Sequence, residues 1–470
     1  MCNQPIALKT YNSNMVMKND VILLAFLVFC ISAFIFIAYE KYKDNKYVTW
    51  DGYVYLVYSK SVLTQNALFL DSIRSPLLSL VIPPNLEVAR IMNCIYLLLC
   101  SVIVFLLVKK LTGDPLLGFL GGVLTGINPY LLFFTSYTLS DLPAVLFFLA
   151  GLLFYFDKRK AMKIVAGILF GFSFVFRPDM AIPMLPFFLF KIKDRSFLKF
   201  CVVPFFSIAF ALNFLVSSLV FSKPIYPPLQ FVLVNFVTEK MAFITQTTSF
   251  NDYLWFLKHL ISYNTVAFIL FAFSLRYLTN LIKNEKYKLV FISFLLLTVV
   301  HFFLPKIDSR IYVTKAIPLT TILAPFAFRN ERKQKLLVFS LALVIIMLHL
   351  FLLLTYDPPL RVWRIDQIDY KKDGIICSNI PFVYIYFAEK VPCHLIKYFQ
   401  LPIEKRDINP LRQEIELNGC EYLYIFTHPN FPLAKKEIKA LSKEFNVKTL
   451  STGNDFYPVY EVSVYVHSKE

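Results

Sequence analysis

The stretch VARIMNCIYLLLCSVIVFLLV, Val88–Val108, decides the fold. A helix that spans a bilayer needs about 20 mainly apolar residues, and this run supplies them before Lys109 and Lys110 close it. Working outward, Val21–Tyr39 precedes it. After it come Leu116–Phe134, Leu142–Phe156, Ile164–Phe176, Met180–Phe190, Phe197–Phe221, Tyr263–Ile282, Leu289–Leu304, Ile311–Phe328 and Leu336–Thr355. The fifth and sixth runs are too short to span straight and are split by Arg177, Pro178 and Asp179. They fit a pair of short helices or a re-entrant hairpin in a protein-lined cavity. Of the 470 residues, 57% are hydrophobic, and the mean hydropathy is +0.60. A soluble chain is nearer 45–50% apolar. The reading is therefore an all-α polytopic membrane domain of about eleven transmembrane helices, residues 21–355. A cytoplasmic segment, 1–20, precedes it, and a soluble tail, 356–470, follows. Val21–Tyr39 is long enough to span, and no small-residue cleavage site follows, so it reads as an anchor rather than a cleaved signal.

The net charge is +17, which in a soluble protein would suggest nucleic acid. Here the bases sit in short clusters between apolar runs, which is a topology signal, and nucleic acid is excluded as a partner. The clusters are Lys109 and Lys110; Lys158, Arg159, Lys160 and Lys163; Lys191, Lys193, Arg195 and Lys199; Lys283, Lys286 and Lys288; and Arg329, Arg332, Lys333 and Lys335. The alternate short connections hold only Arg177, Lys306 and Arg310. By the positive-inside rule the clusters face the cytoplasm. The loops 40–87 and 222–262, two tight turns at 135–141 and 305–310, and the tail then lie outside. That layout suits a multi-pass cell-membrane protein that works on its outer face.

The tail reads as a small α/β domain. Strands are expected at Gly374–Ser378, Glu421–Thr427, Val447–Ser451 and Val459–Val466. Helices are expected at Phe382–Glu389, at Leu411–Leu417 before the Asn418-Gly419 stop, and at Leu433–Glu444. The eight cysteines contain no CxxC pair, so a metal knuckle is not expected. Cys30, Cys94, Cys100 and Cys201 lie in apolar runs as small core residues. One disulfide among Cys377, Cys393 and Cys420 is open to an extracytoplasmic tail.

Charges near a bilayer are costly and are functional candidates by default. Asp51, in Trp50-Asp51-Gly52-Tyr53, is either a solvated loop carboxylate or a functional acid among interface aromatics. Asp141, in Ser140-Asp141-Leu142-Pro143, opens the fourth helix; a plain N-cap explains it equally. Lys306 and Arg310 break the positive-inside pattern. A phosphate at the membrane surface would explain them, as would snorkelling and a pair with Asp308. Arg177 is a similar exception, which Asp179 would neutralise. Arg74, beside Ser75-Pro76, is a weaker candidate. His259 and His301 read as packed histidines.

Four of these elements, in order and on one face, resemble the C-type integral membrane glycosyltransferases. They are the Trp-Asp-Gly-Tyr loop running on to Ser75-Pro76 and Pro83-Pro84, the Leu139-Ser140-Asp141-Leu142-Pro143 start, the Phe176-Arg177-Pro178-Asp179 break, and the Lys306-Ile307-Asp308-Ser309-Arg310 turn. The branch they resemble holds the protein O-mannosyltransferases, aminoarabinose transferases and RgtA/B/C/D-like enzymes, and the likeness covers about residues 15–355. It implies a polyprenyl- or dolichyl-phosphate sugar donor and an extracytoplasmic protein, lipid or glycan acceptor. It implies Asp51 as the catalytic acid of the first loop, Asp141 as the second acidic position, and Lys306 and Arg310 at the lipid phosphate. Many members carry two adjacent acids where this chain has only Asp51 and then Gly52, so a divalent metal ion on Asp51 and Asp141 stays an open alternative. The implied chemistry is a single displacement with inversion. A lipid-linked glycan flippase or transporter would predict charges at mid-membrane and a weak internal repeat, neither of which is evident. A glycan polymerase or ligase would predict an outer loop dense in Arg and His, and 222–262 has only Lys223, Lys240, Lys258 and His259.

Overall fold

The computed structural model describes residues 6–43, 55–56, 59, 77–81, 85–136, 140–221, 226–232, 250, 254, 268–272, 274–275, 282–303, 309–328, 335–355, 371, 374–378, 393–396, 408–426, 435–450 and 459–464. Val88–Val108 lies within a helix of 27 residues, Leu86–Thr112. Its start is fixed by Asn85, whose side chain accepts from the backbone N–H groups of Glu87 and Val88. Its end is fixed by Gly113, left-handed at φ 76°, a conformation in which a Cβ would be strained. At 1.5 Å per residue it is roughly 40 Å long, more than the ~30 Å hydrocarbon core.

Among the described residues three helices are long and apolar enough to cross a membrane: Asp20–Tyr42, Leu86–Thr112 and Arg195–Leu219. Pro115–Gly126, Asp141–Tyr155, Pro178–Phe190 and Phe339–Thr355 are shorter apolar helices. The expected run Leu116–Phe134 is two helices, Pro115–Gly126 and Pro129–Phe134. Asn128 caps the second by accepting from the N–H groups of Tyr130 and Leu131, and Pro129 has no N–H with which to continue the first. The fifth and sixth runs are the helix Lys160–Phe176, a 3₁₀ turn at Pro178–Met180, and the helix Ala181–Phe190. Glu285–Phe303, Ser309–Leu323 and Lys335–Thr355 follow as helices. Of the expected run Tyr263–Ile282, only 268–272, 274–275 and 282 are described.

Close backbone approach packs these helices. A Cβ on Gly167 would lie 2.1 Å from the Cys201 carbonyl oxygen, so Lys160–Phe176 can press on Arg195–Leu219 only with a glycine there. That second helix is π-helical at Leu198–Val202 and Ser207–Leu212. At one end of the bundle the basic clusters find acids: Lys109–Asp20 at 2.5 Å, Lys110–Asp157 at 3.8 Å, Arg159–Asp157 at 3.0 Å, Lys163–Asp194 at 3.6 Å and Lys191–Glu285 at 2.5 Å. At the other end of the first helix, Lys41 Nζ donates to the Leu353 carbonyl at 2.7 Å.

The tail forms a five-stranded sheet in the order β2-β1-β3-β5-β4. The strands are β1 Ile376–Ser378, β2 Cys393–Leu395, β3 Tyr422–Phe426, β4 Asn446–Leu450 and β5 Val459–Ser463. β1 lies parallel between β2 and β3, and β5 lies antiparallel between β3 and β4. Alternation divides the sheet's apolar residues between two faces. Cys377, Leu423, Ile425 and Val462 pack with Leu411, Ile415 and Leu441 from the helices Ile408–Leu417 and Lys435–Glu444. Ile376, Tyr424 and Phe426 belong to the same buried cluster as the membrane helices. The expected strands and two of the expected helices stand within a few residues. β2 was not anticipated, and Phe382–Glu389 lies outside the described residues. Cys377 and Cys420 form a disulfide with Cα atoms 5.7 Å apart.

Candidate active site

The site begins where two helices break. The residue before a proline is pushed out of the helical region, and Arg177, before Pro178, ends Lys160–Phe176 in an extended conformation, φ −148° and ψ 105°. That turn brings its guanidinium back onto Asp179, Nε to Oδ1 at 3.1 Å and Nη2 to Oδ2 at 3.4 Å. Asp179 neutralises Arg177, as the sequence suggested, but only in part. Nη1 reaches Asp141 Oδ2 at 3.4 Å, and Asp179 Oδ2 also accepts from Lys315 Nζ.

Asp141 is the first residue of Asp141–Tyr155, and Ser140 before it makes no side-chain cap. The plain capping reading is thereby replaced: the Ser140 hydroxyl pairs with the Tyr55 hydroxyl at 3.0 Å, and Asp141 is buried against Arg177. Four charged side chains thus form one connected, largely buried group. Asp141 is 0% exposed, Lys315 2%, Arg177 12% and Asp179 22%. Among the described residues the two acids and two bases balance, as buried charges require. Among the described residues, Asp141 Oδ1 is buried and accepts no hydrogen bond. A buried carboxylate oxygen left open is costly.

Of the six residues singled out from sequence, the structure brings Asp141 and Arg177 together. Asp51, Arg74 and Lys306 lie outside the described residues. Arg310 lies in the first turn of Ser309–Leu323, five residues before Lys315 and so roughly 7.5 Å along the axis from it. Tyr55, which follows the first helix in the chain, is tied to the start of Asp141's helix. Asp51 is four residues upstream of Tyr55, so at most roughly 14 Å of chain separates their Cα atoms.

Lys315 went unremarked in the sequence because it sits inside Ile311–Phe328, read as a span. Its signal was a single charge in an apolar run, which is a functional candidate by default. Arg90, 4% exposed, was missed for the same reason. Its Nε donates to the Ser136 carbonyl at 2.9 Å and its Nη1 to the Lys43 carbonyl at 3.1 Å, holding the end of the first helix against the turn that leads to Asp141. His301 is packed, with Nδ1 3.1 Å from the Leu297 carbonyl oxygen and its ring 5.0 Å from that of Tyr312.

A divalent metal does not fit the described residues of this site. Asp179 spends both oxygens on cations, Asp141 offers one oxygen beside a guanidinium, and no group of three His, Cys, Asp or Glu side chains is found among the described residues. What the arrangement can do is present one fixed carboxylate oxygen to a hydroxyl.

No family model matches the chain, and no curated protein matches it. Among solved structures, ArnT from Cupriavidus metallidurans bound to undecaprenyl phosphate superposes with a TM-score of 0.57, at 11% identity, over 94% of this chain and 98% of that chain. ArnT is an aminoarabinose transferase, a C-type membrane glycosyltransferase. At that identity the likeness is one of fold: this chain has the fold of the C-type membrane glycosyltransferases, which its four motifs had suggested.

Proposed function

We propose that this chain is a membrane glycosyltransferase that moves a sugar from a polyprenyl-phosphate donor to an extracytoplasmic acceptor. The observation that carries the reading is Asp141 itself: a fully buried carboxylate, held by Arg177 at a helix start, with Oδ1 open. The fold supports it, since ArnT was solved bound to undecaprenyl phosphate.

In this reading the lipid phosphate leaves, and cations that neutralise it lower the barrier. Lys306, Arg310 and Arg74 serve that end. Asp51 takes the proton of the acceptor hydroxyl and aligns it for in-line attack at the anomeric carbon, and one displacement inverts the anomer. The Tyr55–Ser140 bond supports the pairing of Asp51 with Asp141, because it fastens the first loop beside the second acid.

The membrane arrangement belongs to the same proposal: eleven crossings, residues 21–355 as the catalytic domain, 1–20 in the cytoplasm and 356–470 outside. Five ion pairs on the basic clusters support one common cytoplasmic end. The Cys377–Cys420 disulfide supports an outside tail, since disulfides persist in oxidising compartments.

The test is transfer by purified protein from a panel of polyprenyl-phosphate sugars, comparing wild type with Asp51→Asn. Wild type should release polyprenyl phosphate and Asp51→Asn should not. Equal rates in the two would remove Asp51 as the base.

A further inference from the structure

We propose that Lys315 is a positioning residue, acting through Asp179 and Arg177 to hold Asp141 with Oδ1 turned to a hydroxyl of the sugar being transferred. The inference rests on the glycosyltransferase reading and deepens it. Arg177 is shared between two carboxylates. Its bond to Asp179 at 3.1 Å is shorter than its reach to Asp141 at 3.4 Å. Lys315 also gives its ammonium to Asp179, which offsets part of that acid's hold on the guanidinium. Arg177 can then reach Asp141 Oδ2 and fix the plane of its carboxylate, leaving Oδ1 as the open atom. Without Lys315 the group would carry two acids against one base. Arg177 would be drawn onto Asp179, and Asp141 would lose its partner.

The same balance bears on what the site takes. Among the described residues, two bases that already answer two acids leave no net positive charge for a phosphate. A neutral hydroxyl, donating one hydrogen bond to Oδ1, fits; a phosphate beside an open carboxylate oxygen would be repelled. Arg177, a candidate phosphate ligand from its sequence position, is thereby assigned to the sugar's side of the site. The phosphate falls to the bases of the 305–310 turn, Arg310 and Lys306.

Equilibrium binding of two probes to the full-length protein in detergent tests this: undecaprenyl phosphate, and whichever of undecaprenyl phosphate glucose, mannose, galactose or arabinose the wild type binds. Asp141→Asn and Lys315→Met should each weaken the sugar-bearing lipid about tenfold or more, as expected for one lost hydrogen bond to a charged group. Both should leave undecaprenyl phosphate within about twofold. Lys315→Arg should restore most of the sugar-lipid affinity. The double variant Lys315→Met/Asp179→Asn, which is neutral again and frees Arg177 for Asp141, should bind better than Lys315→Met. That recovery would not follow from a merely structural role. If Lys315→Met does not fold, Lys315→Arg and the double variant carry the comparison. Equal losses for both lipids, no loss for either, or a double variant worse than the single would overturn the assignment. A wild type that binds neither probe would overturn the donor reading itself.

Discussion

The two ends of the helical bundle use the same residue types to opposite effect. At one end, Lys109, Lys110, Lys163, Lys191 and Arg159 meet acids across the helix ends, with side chains between 17% and 71% exposed. Such pairs are screened by water and are worth about 0–1 kcal/mol each. At the other end, Asp141, Arg177, Asp179 and Lys315 form a group no more than 22% exposed. Desolvation offsets most of the attraction there, so stability does not explain why the charges are buried. The exposed pairs link neighbouring helix ends at little energetic consequence. The buried group holds one oxygen in a fixed place.

The contrast can be broken by substitution. Arg177→Ala leaves a buried acid without its partner and should destabilise the protein by about 3–5 kcal/mol, read as thermal unfolding in detergent. Removing both Cys377 and Cys420 to serine opens a bridge spanning 43 residues and should destabilise the tail by about 4 kcal/mol on loop entropy. Transfer measured on the membrane domain should persist, and its loss would join tail and site into one functional unit. Gly167→Ala sets a methyl 2.1 Å from the Cys201 carbonyl oxygen and should destabilise the bundle by about 1–3 kcal/mol through strain. Lys191→Ala, at the exposed end, should change stability by about 1 kcal/mol or less. An effect as large as that of Arg177→Ala would erase the distinction between the two ends.

The helices were legible because an apolar run long enough to span leaves little else for Val88–Val108 or Leu336–Thr355 to do. The break at Asn128-Pro129 was passed over because the stretch was read for its length, although Asn-Pro is itself a turn signal. In the tail, alternation disclosed β3, whereas β2 is three residues long and has no period to read. The site was half legible. Asp141 and Arg177 stood at run ends, where charge is conspicuous. Lys315 and Arg90 were hidden inside runs scored for their length, and only tertiary packing joins Lys315 to Asp179 across 136 residues. The capping explanation of Asp141 failed because sequence does not reveal that its carboxylate meets Arg177, 36 residues further on.

The most direct test of the account is the rate at which purified protein releases undecaprenyl phosphate from an undecaprenyl-phosphate sugar, wild type against Asp141→Asn, with unfolding temperatures taken alongside. Wild type should turn over, and Asp141→Asn should lose about a hundredfold or more, in line with removal of one preorganised catalytic contact, at a temperature where its unfolding curve shows it still folded. Equal turnover by the two proteins would contradict it and would leave the buried charges as a feature of the fold alone.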